Sequence, residues 1–321
     1  MKPSAITAHI AAAIVLSACG SPQPPIAESG VSLQQAAQHG LGYARSWMAP
    51  EARSRDLLYV SNTLFNEVWV FSYPGGSRVG NLTGFALPAS ICINQATGDI
   101  FVSDVLANRI QEYSHGGTSP IRTLPDSKNP QGCAVDASTG NLAVADYTDQ
   151  APAKVAVFSA GVTVPTRYGD PNFTSFSTCS YDDKGNLFAV GLMGGSQSGL
   201  AELANGAQTF KDITLDKQID AVGDIRWDGK YLAVMADSGN WIYRLAISGS
   251  HASIAGRTSI EPARRDDDFW IQANRVIVTH RPPHAKYPAI GFWHYPAGGQ
   301  PAKLLNNQPG VQDVGISLAK P

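Results

Sequence analysis

The stretch from residue 98 to residue 117, GDIFVSDVLANRIQEYSHGG, predicts two short strands and their connections. A glycine turn precedes the apolar run 100–103, which Asp104 closes, and a small polar loop leads to the second run, 109–113. The glycine pair 116–117 ends the unit. Short β-rich runs bounded by Gly, Asp and Asn are typical of strands joined by tight turns. The stretch therefore predicts β-structure.

The same unit recurs along the chain from residue 57. Each unit has an apolar strand that we count as its second, because a short inner run precedes it. These second strands end at Asn62, Asp104, Asp146, Gly191, Asp237 and His280. Successive ends lie 42, 42, 45, 46 and 43 residues apart. A third strand and a weaker fourth follow each second strand, and the short inner run before it is the first strand of the unit. Four strands per unit, six units and a period in the low forties predict an all-β, six-bladed β-propeller over 54–321.

The C-terminus resembles the beginning of an inner strand. The first unit has no inner run before residue 57, whereas the tail PGVQDVGISLAKP, from residue 309, resembles the openings at Pro88 and Pro130. We expect residues 314–318 to pair with 57–61, so that strands from both ends of the chain complete one blade. Such a closure would remove an exposed strand edge.

The first 19 residues predict a lipoprotein signal peptide. Lys2 precedes an apolar run, 6–16, that is too short to span a bilayer. The sequence LSAC at 16–19 resembles the lipobox of bacterial lipoproteins, which implies acylation, palmitate included, at Cys19. This lipid would be the only link to a membrane in the cell envelope, and Gly20 favours the outer membrane. An ordinary cleaved signal with a chance cysteine is the alternative. Residues 20–53 predict a tether with a short helix at 32–48.

Composition limits the classes of partner. Charged residues make up 16% of the 321 residues and the formal net charge is −2, with no basic stripe, so we expect no nucleic-acid binding. After Cys19 the chain has Cys92, Cys133 and Cys179, which allow at most one disulfide. Cys92 and Cys133 would bridge adjacent blades if they face each other, and three small buried hydrophobic side chains are the alternative.

The unit with Gly98, Asp104 and the sequence NRI at 108–110 is similar to NHL repeats. The similarity is good in the second and third units, fair in the first and fifth, and poor in the fourth and sixth. The chain also resembles exported propeller lipoproteins of soil bacteria, from WMAP at 47–50 through SYPG at 72–75 to WHYP at 293–296. Related six-bladed propellers include protein-binding modules, lactonases, lyases and carbohydrate-associated proteins, so the resemblance implies a fold and leaves the activity open.

Two sets of carboxylates are candidate functional residues: those at the ends of the second strands and those near the starts of the inner strands. Asp104, Asp146 and Asp237 at strand ends are expected to accept hydrogen bonds from backbone N–H groups of the turn that follows, and Asn62 can do the same. Asp220, Asp267 and Asp313 are among the carboxylates that lie where inner strands would enter the channel, and they could hold Ca²⁺ if two or three of them converge on the axis. Solvated loop carboxylates are the alternative for this second set.

The loop HRPPHAKYPA at 280–289 has the most varied chemistry of the connections between second and third strands. His280, Arg281, His284 and Tyr287 could form a rim that binds an anion or a sugar. Its two prolines stiffen the loop, which lowers the entropic cost of presenting a surface.

The sequence contains no nucleophile elbow, phosphate loop, CxxC or HExxH motif, and we assign no catalytic residue. We therefore expect an envelope-anchored scaffold that binds a protein or glycan partner at the channel face. The alternative is a metal-dependent, lactonase-like hydrolase or lyase with Ca²⁺ in the central channel.

Overall fold

The computed structural model describes residues 45–125, 128–148, 151–194, 197–217, 219, 222–236, 240–261 and 265–320, without the side chains of residues 222 and 265–267. Within these ranges the regular structure is β-strand apart from one 3-10 helix, Pro50–Ser54. No helix of the described part has the length and apolar character that crossing a membrane requires.

The strands of the first half are β1 (Trp47–Met48), β2 (Leu57–Asn62), β3 (Glu67–Ser72), β4 (Arg78–Leu82), β5 (Pro88–Ile93), β6 (Ile100–Asp104), β7 (Arg109–Tyr113), β8 (Arg122–Pro125), β9 (Pro130–Val135), β10 (Leu142–Asp146), β11 (Ala153–Phe158) and β12 (Thr166–Asp170). Those of the second half are β13 (Phe173–Tyr181), β14 (Leu187–Met193), β15 (Gln197–Leu203), β16 (Lys211–Leu215), β17 (Val222–Trp227), β18 (Leu232–Ala236), β19 (Trp241–Ser248), β20 (His251–Ser259), β21 (Arg265–Gln272), β22 (Arg275–Arg281), β23 (Ala289–His294), β24 (Lys303–Leu305) and β25 (Val311–Ser317).

Four sheets are antiparallel and follow the order of the repeats. Their strand orders are β1-β4-β3-β2-β25, β5-β6-β7-β8, β12-β11-β10-β9 and β21-β22-β23-β24. A larger sheet has eight strands in the order β13-β14-β15-β16-β20-β19-β18-β17. Its centre is a short parallel contact between β16 and β20, made by two residue pairs, and its other pairs are antiparallel. Each half of this sheet thus repeats the order of the four-stranded sheets.

The innermost strands contact one another in a closed order, β25, β5, β9, β13, β17, β21 and again β25. The sheets therefore have a propeller-like arrangement. Because neighbouring sheets cover both faces of the second strands, most residues of these strands are buried, including the polar residues at their ends. All six residues of β2, LLYVSN, are buried, and Tyr59 packs with Ile93 and Val102 of the next sheet.

The first sheet is completed by both ends of the described chain. β25 pairs antiparallel with β2, from Leu57 opposite Ser317 to Val60 opposite Val314, with a bulge before Asn62. The expected closure is confirmed, and its strand begins earlier than expected, at Val311.

The predicted signal peptide with Cys19, and most of the predicted tether, lie outside the described residues. The predicted helix at 32–48 is wrong at its end, because Trp47–Met48 is a strand that pairs with β4. Gly80 of β4 allows this contact, since a Cβ there would lie 2.4 Å from the Met48 sulfur. Residues 45–53 therefore pack on the first sheet.

Cys92 on β5 and Cys133 on β9 form a disulfide, with their Cα atoms 5.8 Å apart. The bridge joins the second and third sheets, as the sequence allowed. Cys179 is free and buried, and burial raises the pKa of its thiol to about 12. Its thiol therefore stays protonated at neutral pH and packs as a small hydrophobic group.

Candidate functional site

The polar residues that end the second strands hold neighbouring loops. Asp104 Oδ1 accepts hydrogen bonds of 2.8 Å from the N–H groups of Ala86 and Leu87, and Oδ2 lies 2.9 Å from Arg109 Nη2. Asn62 Oδ1 accepts two backbone N–H groups of the turn that follows it, at 3.1 and 2.9 Å. The predicted capping of the following turn is wrong at Asp104, which holds the connection that precedes its sheet's inner strand, whereas Asn62 makes such a cap.

Asp313 lies on β25 inside the ring, and its side chain is 1% exposed. Its Oδ2 accepts hydrogen bonds from Ser90 Oγ at 2.9 Å and Ile91 N at 2.7 Å, and its Oδ1 accepts one from Val314 N at 2.6 Å. The prediction of an accessible carboxylate at the channel entrance is wrong here, because inner strands enclose this side chain.

Arg226 on β17 crosses the ring to meet this carboxylate. Its Nη2 lies 3.5 Å from Asp313 Oδ1 and 3.3 Å from Asp224 Oδ2, and its Nε donates to the carbonyl of Phe269 at 3.2 Å. Asp224 Oδ1 in turn accepts a hydrogen bond of 3.0 Å from Thr178 Oγ1. Inner strands from different sheets are thus joined by one buried network of ion pairs and hydrogen bonds.

The network changes the acidity of its members. Burial raises the pKa of Asp313 to about 6, with Arg226 opposing the rise. Burial also raises the pKa of Asp224, again against the attraction of Arg226. Burial alone would lower the pKa of Arg226, but the attraction of nearby carboxylates, chiefly Asp224 and Asp313, outweighs it and the guanidinium pKa lies above its ordinary value. The arginine is therefore always charged, whereas Asp313 can take up a proton under mildly acidic conditions.

The three carboxylates predicted to hold Ca²⁺ are not brought together as a described cation site. Asp220 lies outside the described residues, and for Asp267 only the backbone on β21 is described. The oxygens of Asp313 face N–H and O–H donors and a guanidinium, which does not fit a cation that requires oxygen ligands. Within the described ranges, no group of three or more His, Cys, Asp and Glu side chains could hold a metal ion.

His280 is fully buried at the end of β22, so its predicted position on a binding rim is wrong. Its ring meets Trp293 edge-on, with centroids 5.1 Å apart, and neither ring nitrogen has a hydrogen-bond partner among the described residues. Gly291 provides the space, since a Cβ there would lie 3.2 Å from His280 Nε2. Burial lowers the pKa of His280 to about 4, so the ring is neutral near pH 7.

The rest of the predicted rim is at the surface. Arg281 and His284 are exposed, Tyr287 is 36% exposed, and His284 has a left-handed φ of 61°. The ammonium of Lys286 lies 5.0 Å from the centroid of the Tyr287 ring. The turn that carries these side chains is closed by a hydrogen bond of 3.2 Å from Ala285 N to Pro282 O.

Three more large apolar side chains occupy the corresponding connections of neighbouring sheets. Leu64 follows β2 and is 46% exposed, Leu106 follows β6 and is 68% exposed, and Tyr147 follows β10 and is 38% exposed. With Tyr287, they occupy four consecutive sheets, whose inner strands β21, β25, β5 and β9 contact one another in that order. We call the connections 63–66, 105–108, 147–148 and 282–288 the loop face.

These connections lie at one end of the ring because the inner strands share one direction. Ser90 and Asp313, the third residues of β5 and β25, are hydrogen-bonded to each other, so both strands begin at the same end. Each second strand runs antiparallel to its inner strand and therefore ends there too. Leu64 and Leu106 each stand two residues after a strand-ending Asn or Asp, a regularity in the sequence that could have located the face.

No protein-family model and no curated protein matches the chain. Among solved structures, the chain is similar to the crystal structure of a nidogen/laminin complex, with a TM-score of 0.66 and 11% identity over 83% of this chain and 99% of that chain. It is also similar to the hydrazine synthase of Kuenenia stuttgartiensis, with a TM-score of 0.56 and 13% identity over 78% of this chain and 76% of that one. The fold is a β-propeller. At these identities the similarity concerns the fold alone.

Proposed function

We propose that this chain is a six-bladed, NHL-like propeller, anchored in the cell envelope through Cys19, that binds a protein partner on its loop face. The carrying observation is the series of exposed apolar side chains on four consecutive sheets at one end of the ring. Single exposed apolar side chains are ordinary, whereas several on one face are typical of an interaction surface.

The count of six rests on the two halves of the eight-stranded sheet. Each half has its own inner strand, β13 or β17, and these are consecutive members of the closed order of inner strands. The parallel contact between β16 and β20 involves outer strands only and is two residue pairs long. We therefore count the halves as separate blades that touch at their outer edges.

The charges of the loop face indicate the chemistry of the partner. Lys286 lies over the ring of Tyr287, and Arg281 immediately precedes the same connection; neither cation has an ion pair among the described residues. Asp104, the carboxylate at the base of this face, is buried and already paired with Arg109. An apolar surface flanked by unpaired cations fits a protein that presents apolar side chains with carboxylates at their edge. One of the similar solved structures is a protein–protein complex, which is compatible with this role.

The docking proposal is tested by adding charge to the loop face. The variant Leu64→Asp with Leu106→Asp should lower partner binding at least about tenfold, because hot spots lie in desolvated apolar centres. The matched control is Val162→Asp with Val164→Asp, two exposed residues at the opposite end of the ring. Both variants should keep the melting temperature of the parent chain. Equal binding by the two variants would refute the proposal.

The anchoring proposal rests on the lipobox-like sequence at 16–19. Cells fed with labelled palmitate should label the parent chain, and Cys19→Ala should abolish the label and release the protein from membranes. The control Cys179→Ala should keep the label. Labelling that persists in Cys19→Ala would contradict an anchor at this residue.

A further inference from the structure

A pocket of about 320 Å³ opens at the end of the ring opposite the loop face. It lies where β5, β9, β13, β17 and β21 end, and their last residues form its walls. This volume lies within the range of small-molecule sites, about 300–1,000 Å³. The pocket is independent of the proposed docking surface, because the whole ring separates the two.

The floor of the pocket is rigid and polar. Arg226 reaches it from the buried network, and the Cys92–Cys133 disulfide lies beside the arginine. The arginine side chain is only 10% exposed and is held by Asp224, Asp313 and a backbone carbonyl. A ligand would therefore meet a preorganised N–H donor, with little side-chain entropy left to lose on binding.

Aromatic side chains form the walls. Trp227, Trp270 and Tyr181 come from three different inner strands. The Trp270 ring already lies 5.5 Å from the guanidinium carbon of Arg226, and its Nε1 donates to Gln272 Oε1 at 3.4 Å. The Nε1 of Trp227 is buried and has no partner among the described residues, so this wall keeps an unused donor.

The rim adds one unused carboxylate. Asp182 Oδ1 accepts hydrogen bonds from the backbone N–H groups of Lys184 and Asn186, at 2.9 and 2.8 Å. Asp183 beside it is exposed and has no hydrogen bond or ion pair among the described residues. Asp183 can therefore accept hydrogen bonds from a ligand.

The charges around the inner pocket disfavour ionic ligands. Two buried carboxylates offset the guanidinium on the floor, so the pocket offers no net positive charge to an anion, and the rim carboxylates repel one. The guanidinium and its contact with Trp270 disfavour a cation, which would otherwise suit an aromatic pocket. A neutral ligand with an apolar face for the rings and hydroxyl groups for Arg226 and Asp183 matches this lining.

A second pocket, of about 510 Å³, adjoins the first between the fourth and fifth repeats. The two share Asp182, Asp183, Trp227 and Gly229. Lys184, Lys230 and Glu202 line the outer pocket, which is therefore more polar than the inner one. Trp227 stands at the boundary, where it can contact two consecutive units of a linear ligand.

We infer that this pocket pair binds a neutral saccharide, with one sugar ring against Trp227 and its hydroxyls at Arg226 and Asp183, and with the next ring in the outer pocket. Aromatic rings pack against the C–H face of a sugar, and carboxylates and guanidinium groups bond its hydroxyls. This arrangement explains why an aromatic wall, a fixed donor and a free acceptor meet at one place.

The test uses the full chain and titrates glucose, galactose, mannose, N-acetylglucosamine, cellobiose and chitobiose by calorimetry and tryptophan fluorescence. At least one saccharide should bind with a Kd of about 1 mM or tighter. Asp183→Asn should weaken binding about tenfold, as should Trp227→Phe. The controls Asp216→Asn, an exposed carboxylate on the loop-face side, and Trp241→Phe, outside the pockets, should bind like the parent.

Three outcomes would overturn the inference. The first is that none of these saccharides binds at about 50 mM, far above the expected Kd. The second is that Asp183→Asn, which changes an exposed side chain and leaves folding intact, binds as tightly as the parent. The third is that inorganic phosphate or choline binds in competition with, and more tightly than, every saccharide.

Discussion

Nη2 of Arg226 lies 3.5 Å from Oδ1 of Asp313 although 87 residues separate them in the sequence. The pair crosses the centre of the ring and ties β17 to the strand that closes it. Both side chains are largely shielded from solvent, with the side chain of Asp313 1% exposed and that of Arg226 10% exposed. We therefore infer that this ion pair stabilises the closed ring of inner strands.

Removing the arginine should be costly. Arg226→Met should lower the free energy of unfolding by about 3–5 kcal/mol, because it leaves two buried carboxylates without a counter-charge. The measurement is the urea midpoint of unfolding. Arg257→Met is the control, since that guanidinium is exposed above Trp241, 4.0 Å from the ring centroid, and should cost about 1 kcal/mol or less. Equal losses of unfolding free energy in the two variants would contradict a stabilising role of the Arg226–Asp313 ion pair.

Buried His280 should make its own contribution depend on pH. Its pKa is about 4 in the folded chain and 6.5 in its ordinary state, so between these values the unfolded chain binds a proton that the folded chain refuses. Stability is therefore lost as pH falls from 6.5 toward 4. The stability advantage of the parent over His280→Leu should shrink over this interval by up to about 3 kcal/mol. A difference that stays constant with pH would contradict the buried neutral ring.

The contribution of Asp313 to stability should change with pH in the direction opposite to that of His280. Its pKa of about 6 lies above the ordinary value of 3.8, so the folded chain holds a proton that the unfolded chain releases between these values. Its contribution to stability is thus lost as pH rises from 4 to 6. The contribution of Asp313 should therefore oppose that of His280 between pH 4 and 6, so Asp313→Asn should lose more stability than the parent as pH falls through this range. Parallel profiles of the parent and Asp313→Asn would refute this opposition.

Deleting the closing strand should unfold the domain. Truncation after Gln308 removes β25 with Val311, Val314 and Ile316, all buried, which forfeits roughly 5 kcal/mol or more of apolar burial. That loss is comparable to the whole stability of an ordinary domain. The matched control ends after Leu318 and keeps β25 intact. Thermal unfolding should show a cooperative transition for the control, and an unchanged melting temperature in the shorter chain would contradict the closure.

Much of the fold could be predicted because its determinants are local and repeated. Strand ends at Asn62 and Asp104 follow from apolar runs closed by turn residues, and the closing tail follows from its resemblance to the inner-strand openings. The positions of Cys92 and Cys133 in adjacent units allowed a bridge between sheets, which the structure contains. Each of these inferences rests on comparing one repeat unit of the sequence with another.

The candidate site was less predictable, because it depends on which side chains are buried and on contacts between residues far apart in the sequence. His280 occupies a strand-end position in the repeat, and only the packing against Trp293 makes it inaccessible. Arg226 stands in the inner run GDIRWD at 223–228, whose nearby carboxylates gave no indication that the arginine also reaches Asp313. The contact between β16 and β20 was also missed, since it depends on the outer edges of two repeats.

The most direct measurement places a photo-cross-linking amino acid at Leu106, Tyr147 or Tyr287 in the full chain, in the cells that produce it. The matched control position is Val164, which is 75% exposed at the opposite end. The account predicts that all three loop-face positions yield an adduct with the same second protein, that Leu64→Asp suppresses it, and that Val164 yields none. Equal adducts at Val164, adducts with further copies of this chain alone, or no adduct at any loop-face position would contradict a protein partner on the loop face.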